Sequence, residues 1–94
     1  MVAPLSAPQL LILSASAGDY RRLIEDALPD LPLVATASVA EATTLGAACP
    51  LVLGDPVLVR QMLPDLVALD WVQSTWAGVD ALLEPNLRRD YVLT

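Results

Sequence analysis

The residues able to do chemistry in this 94-residue chain gather where short apolar runs give way to small or polar residues. There are three such places: Ser14-Ala15-Ser16-Ala17-Gly18, Gly54-Asp55, and Ser74-Thr75-Trp76-Ala77-Gly78. The third is the most informative. Ala77 and Gly78 stand between the end of an apolar run and a helix start expected near Asp80, so their backbone N–H groups can approach a ligand with no side chain in the way. Amides at the start of a helix favour an anion. The chemistry on offer is anion binding rather than proton transfer, because the chain contains no His. That removes imidazole general bases, Ser-His and Cys-His nucleophile pairs, and the commonest metal ligand. The single Cys49 cannot form an intrachain disulfide, and it precedes Pro50 with no activating cation beside it in sequence. It reads as a small buried residue in a reducing cytoplasm. No catalytic residue, cofactor-binding residue or metal ligand is assigned.

Composition narrows the partners. Eleven acidic residues against five Arg give a formal charge of -6, and the Arg residues form no patch that could follow a phosphate backbone. Nucleic acid is not an expected partner. The uncharged N-terminal stretch carries Ala15-Ser16-Ala17, which superficially resembles a signal-peptidase site. There is no basic residue before Arg21, however, and Pro4 and Pro8 interrupt a core reduced to Leu10-Leu11-Ile12-Leu13. The reading is a buried strand after a loose lead, with no span long enough to cross a bilayer. The length suits one small domain.

Apolar runs alternate with amphipathic stretches throughout, the pattern of βα units on a mainly parallel sheet. Strands are expected at Leu10 to Leu13, Leu33 to Ala35, Leu51 to Leu53, Trp71 to Ser74 and Asp90 to Thr94. Asp19 is expected to cap a helix with Tyr20, Leu23, Ile24, Ala27 and Leu28 inward and Arg21, Arg22, Glu25 and Asp26 outward. Pro29 and Pro32 stop it. Ser38 and Glu41 form a capping box before a brief helix that Gly46 ends. Asp55 reads as a cap with Pro56 at the first helical position, and Val59, Met62, Leu63 and Leu66 as the inner face. The strand at Leu51 is expected to be buried on both faces, and Trp71 to lie in the core. The fold class is α/β, a flavodoxin-like three-layer sandwich of about five strands in the order 2-1-3-4-5, lacking a later covering helix. Ligands of such sheets bind beyond the carboxyl ends of the strands, where the order reverses between the first and third. Ser14 and Gly54 become candidates on that ground.

The stretch Leu69-Asp70-Trp71-Val72-Gln73-Ser74-Thr75-Trp76-Ala77-Gly78-Val79-Asp80 resembles the strand, loop and helix start ending in Ala-Gly-x-Asp of the D-isomer-specific 2-hydroxyacid dehydrogenases. It is most similar to their glyoxylate and hydroxypyruvate reductase branch. Leu51-Val52-Leu53-Gly54-Asp55-Pro56 falls where that family has its third strand and following turn, and the order of elements agrees from about Leu10 to Thr94. The resemblance implies that the amides of Ala77 and Gly78 hold the carboxylate of a small 2-oxo or 2-hydroxy acid. It also implies that Trp76 lines the pocket and that Asp80 caps the next helix.

The departures are equally informative. The family's catalytic Arg, acidic residue and His, and its dinucleotide fingerprint, come later in the chain. Here the glycines at 18, 46, 54 and 78 make no G-x-G-x-x-G. The resemblance thus implies a single partial substrate-binding domain over residues 1–94, with the NAD(P)-binding domain absent. NAD or NADP would serve the full-length enzyme, none would be bound here, and the chain alone is expected to be inactive. A homo-oligomer is expected, because apolar surface meant for missing parts is left uncovered. The alternative is a stand-alone module that binds a small carboxylate or dimerises. A phospho-acceptor receiver would need clustered carboxylates after the first strand and a Lys after the fifth, and this chain has neither.

Overall fold

A computed structural model describes residues 7–94; the loose lead expected around Pro4 lies outside the described residues. Ten short elements follow in order. They are β1 (Leu10–Leu13), α1 (Ala17–Ala27), β2 (Leu33–Thr36), α2 (Val39–Gly46), β3 (Leu51–Gly54), α3 (Pro56–Met62) with a 3-10 turn at Leu63–Asp65, β4 (Trp71–Ser74), a 3-10 turn at Asp80–Leu82, and β5 (Val92–Leu93). The sheet is five-stranded, parallel throughout, in the order β2-β1-β3-β4-β5. This is the expected α/β flavodoxin-like arrangement.

The order of strands fixes how the faces are covered. Parallel crossovers are right-handed, so a connection moving one way along the sheet lies on one face and a connection moving the other way lies on the opposite face. Only the β1-to-β2 connection moves toward the β2 edge; the other three move away from it. One face therefore receives α2, α3 and the Asp80–Leu82 turn, and its core is complete. Leu11, Leu13, Val52 and Val72 meet Ala42, Val59, Met62, Leu63, Leu66 and Leu82 there, all buried. The inner face assigned to α3 is correct. Cys49 belongs to the same cluster, and burial pushes its thiol pKa up, which keeps it an unreactive thiol.

Among the described residues the other face has α1 alone, packed over β1 and β2 through Tyr20 and Ile24. Several expectations fail for this reason. Leu23 is 65% exposed and Leu28 54%, so the inner face of α1 is narrower than its spacing suggests. β3 is buried on one side only: Val52 is enclosed, whereas Leu51 and Leu53 are partly open. Trp71 is not in the core; it is 46% exposed, its indole Nε1 donating to the Thr94 hydroxyl at 2.8 Å. Together Leu10, Ile24, Leu51, Leu53, Trp71 and Gln73 line an open apolar hollow of about 290 Å³.

Local signals are resolved individually. Ser38 caps α2 by accepting the Glu41 N–H, but its own N–H goes to the Thr36 hydroxyl, so the capping box is half made. Asp19 is not a cap. It sits in the first turn of α1, which begins two residues earlier with Ser16 at the N-cap position and no side-chain cap bond. Arg21 and Glu25 form the i,i+4 pair on the wet face, 3.2 Å apart. β5 is two residues rather than five, because Arg88 folds onto Asp90 at 2.6 Å and reaches the carbonyls of Leu63 and Leu66. Among the described residues no helix is long and apolar enough to cross a membrane.

Candidate functional site

The parallel register sets Leu13 opposite Gly54 and Gly54 opposite Ser74. One residue further along each strand stand Ser14, Asp55 and Thr75, so a row of polar side chains crosses the three central strands at their carboxyl ends. The reversal of strand order lies within that row, between β1 and β3.

Asp55 holds the row together. Its backbone occupies the N-cap position of α3, but its carboxylate makes no cap bond, contrary to expectation. The helix has little use for a cap: Pro56 has no N–H, and the amides of Leu58 and Val59 both reach the Asp55 carbonyl. The carboxylate turns across the sheet instead. Oδ2 accepts the Ala15 N–H at 2.9 Å and Oδ1 accepts the Thr75 hydroxyl. Only 6% of Asp55 is exposed. Burial alone raises its pKa, but donation from the Thr75 hydroxyl and the Ala15 amide outweighs burial and holds the carboxyl below its ordinary value.

The β1 exit is closed on itself. Ser14 is buried, its Oγ accepting the Ser16 N–H at 3.0 Å and its carbonyl accepting the Ala17 N–H at 3.1 Å. Gly54 is also buried, and its carbonyl accepts the Thr75 N–H at 3.0 Å. A Cβ there would lie 2.3 Å from Val59 Cγ2, so close packing alone accounts for this glycine.

The β4 exit has the opposite character. Ser74 Oγ accepts the Trp76 N–H at 3.0 Å and donates to the Trp76 carbonyl at 2.7 Å, which folds the chain into a tight turn. Beyond it the N–H groups of Ala77 and Gly78 find no acceptor among the described residues, and both residues are exposed. The glycine is not there for a left-handed backbone, since no glycine among the described residues has positive φ. A Cβ on Gly78 would meet nothing within 4 Å. Trp76 is 50% exposed beside these amides. Of the expected site residues, Trp76, Ala77 and Gly78 lie in one exposed loop, whereas Ser14 and Gly54 are buried.

The element after the loop is shorter than expected. Asp80–Leu82 is a single 3-10 turn with Val79 at the N-cap position, and Asp80 caps nothing with its side chain. Pro85 lies close behind and disfavours helical backbone at Glu84, while Leu82 is drawn fully into the core. The two free amides therefore have no helix dipole behind them. The residue missed by sequence reasoning is Thr75, whose signal was its register position opposite Asp55.

No protein-family model matches the chain, and no curated protein does. Among solved structures it is similar to a D-isomer specific 2-hydroxyacid dehydrogenase family protein from Aeromonas salmonicida subsp. salmonicida A449, with 36% sequence identity and a TM-score of 0.86 over 94% of this chain. The chain spans 29% of the length of that relative. The family resemblance is thereby borne out: in sequence and in fold this chain is similar to one part of a D-isomer specific 2-hydroxyacid dehydrogenase family protein.

Proposed function

We propose that the chain is the substrate-binding segment of an NAD(P)-dependent oxidoreductase that reduces a small 2-oxo acid, of glyoxylate or hydroxypyruvate type, to the D-2-hydroxy acid. The observation that carries this reading is the pair of exposed, unpaired N–H groups at Ala77 and Gly78, beyond the carboxyl end of β4. Two amides donating to a carboxylate make charge-assisted hydrogen bonds, and they fix the acid by the end that does not react. Trp76 supplies an apolar wall beside them. The described residues do not fit the cofactor. The Ala15, Ser16 and Ala17 amides of the β1 exit are already bonded within the protein, and the Asp55 carboxylate would repel a pyrophosphate there. The chain has no His to deliver the proton that accompanies the nicotinamide's hydride, and the 94-residue protein is expected to oxidise no NAD(P)H.

Titrating the 15N-labelled protein with glyoxylate should move the amide resonances of Ala77 and Gly78 first. Gly78→Ala places a methyl on the approach surface without touching the fold, since that position is open. It should weaken binding about tenfold, the loss of roughly one charge-assisted hydrogen bond, with an unchanged melting temperature. Resonances at 77 and 78 that ignore glyoxylate would remove the reading.

The alternative module reading draws on the open face. Among the described residues no ionisable group lines the hollow formed by Leu10, Ile24, Leu51, Leu53, Trp71 and Gln73, so two copies of charge -6 can meet there without opposing their carboxylates across it. We infer that a second copy covers this face. Sedimentation should show a concentration-dependent dimer that Leu53→Glu abolishes; a monomer at millimolar protein would refute it.

A further inference from the structure

We propose that Asp55 and Thr75 act as the positioning pair of the anion-binding loop, holding the Ala77 and Gly78 amides where a carboxylate can reach both. The inference rests on the carboxylate-binding reading of those amides and concerns how they are held.

Three observations support it. First, Asp55 is a nearly fully buried carboxylate that meets no cation among the described residues, an arrangement that costs stability unless hydrogen bonds offset it. Its oxygens are satisfied by Ala15 on the β1 side and Thr75 on the β4 side. Second, the hydroxyl of Thr75 is the side-chain link from this loop to the body of the sheet, because the bonds of Ser74 Oγ to Trp76 stay within the loop. Third, among the described residues the loop beyond Trp76 makes no hydrogen bond through Ala77 or Gly78. Thr75 lies two residues before Ala77; without its hydroxyl bond only its N–H, on the Gly54 carbonyl, still ties it to the neighbouring strand, so the amides sample more orientations. Ordering them again on binding then weakens affinity.

Comparison of the 15N-labelled wild type with Thr75→Val, Thr75→Ser and Asp55→Asn tests this, with glyoxylate as the probe. Valine keeps the shape and removes the donor. It should bind about tenfold more weakly, as expected for one hydrogen bond to a charged group, and lower the order parameters of the Ala77 and Gly78 amides in the free protein. Serine restores the donor and should return both readouts to wild-type values. Asparagine can still accept from Ala15 and can donate to a reoriented Thr75 hydroxyl, so it should bind within about threefold of wild type. A tie that served stability alone would lower the melting temperature of Thr75→Val while leaving affinity and loop order unchanged, and that result would overturn the proposal. If the wild type ignores glyoxylate, the carboxylate reading fails by itself. Unchanged order parameters in ligand-free Thr75→Val then overturn the positioning role, and lowered ones support it.

Discussion

Asp55→Ala lowers the free energy of unfolding by about 3 kcal/mol, measured by denaturant titration. Hydrogen bonds to a charged group contribute about 1.5–3 kcal/mol each, and this change removes two while leaving the Ala15 N–H and the Thr75 hydroxyl without their acceptor. Part of that loss is recovered where water reaches the partly buried Ala15 amide. For a domain of this size, with a total stability of about 5–10 kcal/mol, the loss is a large fraction. The pH dependence follows from the direction of the Asp55 shift. Its carboxyl is held below the ordinary value in the folded state, so its contribution is fully present above the unfolded pKa of about 4 and is lost as pH falls through the folded value. Asp90, held low by the guanidinium of Arg88, changes in the same direction, so the Asp55 share must be isolated by difference. Asp55→Asn should flatten the acid limb of stability against pH relative to wild type. Parallel acid limbs for the two proteins, or a loss below about 1 kcal/mol in Asp55→Ala, would show that the row of three strand exits is not held by this carboxylate.

Gly54→Ala destabilises by about 2 kcal/mol or more, and Val59→Ala relieves part of the loss. The added Cβ falls 2.3 Å from Val59 Cγ2 and 3.1 Å from the backbone oxygen of Leu13. Val59 is fully buried between α3 and the sheet, so its side chain has no free space to retreat into. The carbonyl of Leu13 cannot yield either, because it accepts the Asp55 N–H at 2.9 Å. Val59→Ala alone costs about 2 kcal/mol as two methyl groups leave a filled core. The double variant should be about 1 kcal/mol more stable than the sum of the two single losses predicts, since the second change vacates the volume that the first one needs. Strict additivity in a thermal or denaturant cycle would mean that the glycine is required for something other than room. A substrate contact would then be the leading explanation.

The strands were legible because each is an apolar run closed by small or turn-forming residues. Leu10–Leu13 and Trp71–Ser74 are bounded where the sequence suggested, and Ser38 marked the start of α2. What could not be read locally was coverage. Leu51, Leu53 and Trp71 have the residue types of an enclosed strand, yet they are partly open because the handedness of the connections leaves α1 alone on their face. The same holds for Leu23 and Leu28, whose spacing signals an apolar stripe without saying what lies against it. At the site, the loop of Trp76, Ala77 and Gly78 was visible because small residues after a strand have few other uses. Asp55 was visible as part of a strand exit, but its role was read from its place before a proline, for which capping is the usual explanation. Its actual partners are 40 residues back at Ala15 and 20 ahead at Thr75, a relation that exists only once the register is known.

Thr94 joins the far edge of the sheet to the loop. Its carbonyl accepts the Ser74 N–H at 2.7 Å, its N–H reaches the Val72 carbonyl, and its hydroxyl lies between the indole of Trp71 and the amide of Gln73. β5 itself is two residues long and carries few ladder bonds, so this edge can open at low cost even though the Arg88 guanidinium pins the segment before it. When it opens, Ser74 loses its partner on the outer side but keeps its bonds to Trp76, while Thr75 stays tied to Gly54 and Asp55 on the inner side. The strand exit is therefore moored twice, by a firm line toward the centre and a slack one toward the rim. Opening at the rim would reach Ser74 and stop there, because the next residue, Thr75, keeps its own ties to Gly54 and Asp55.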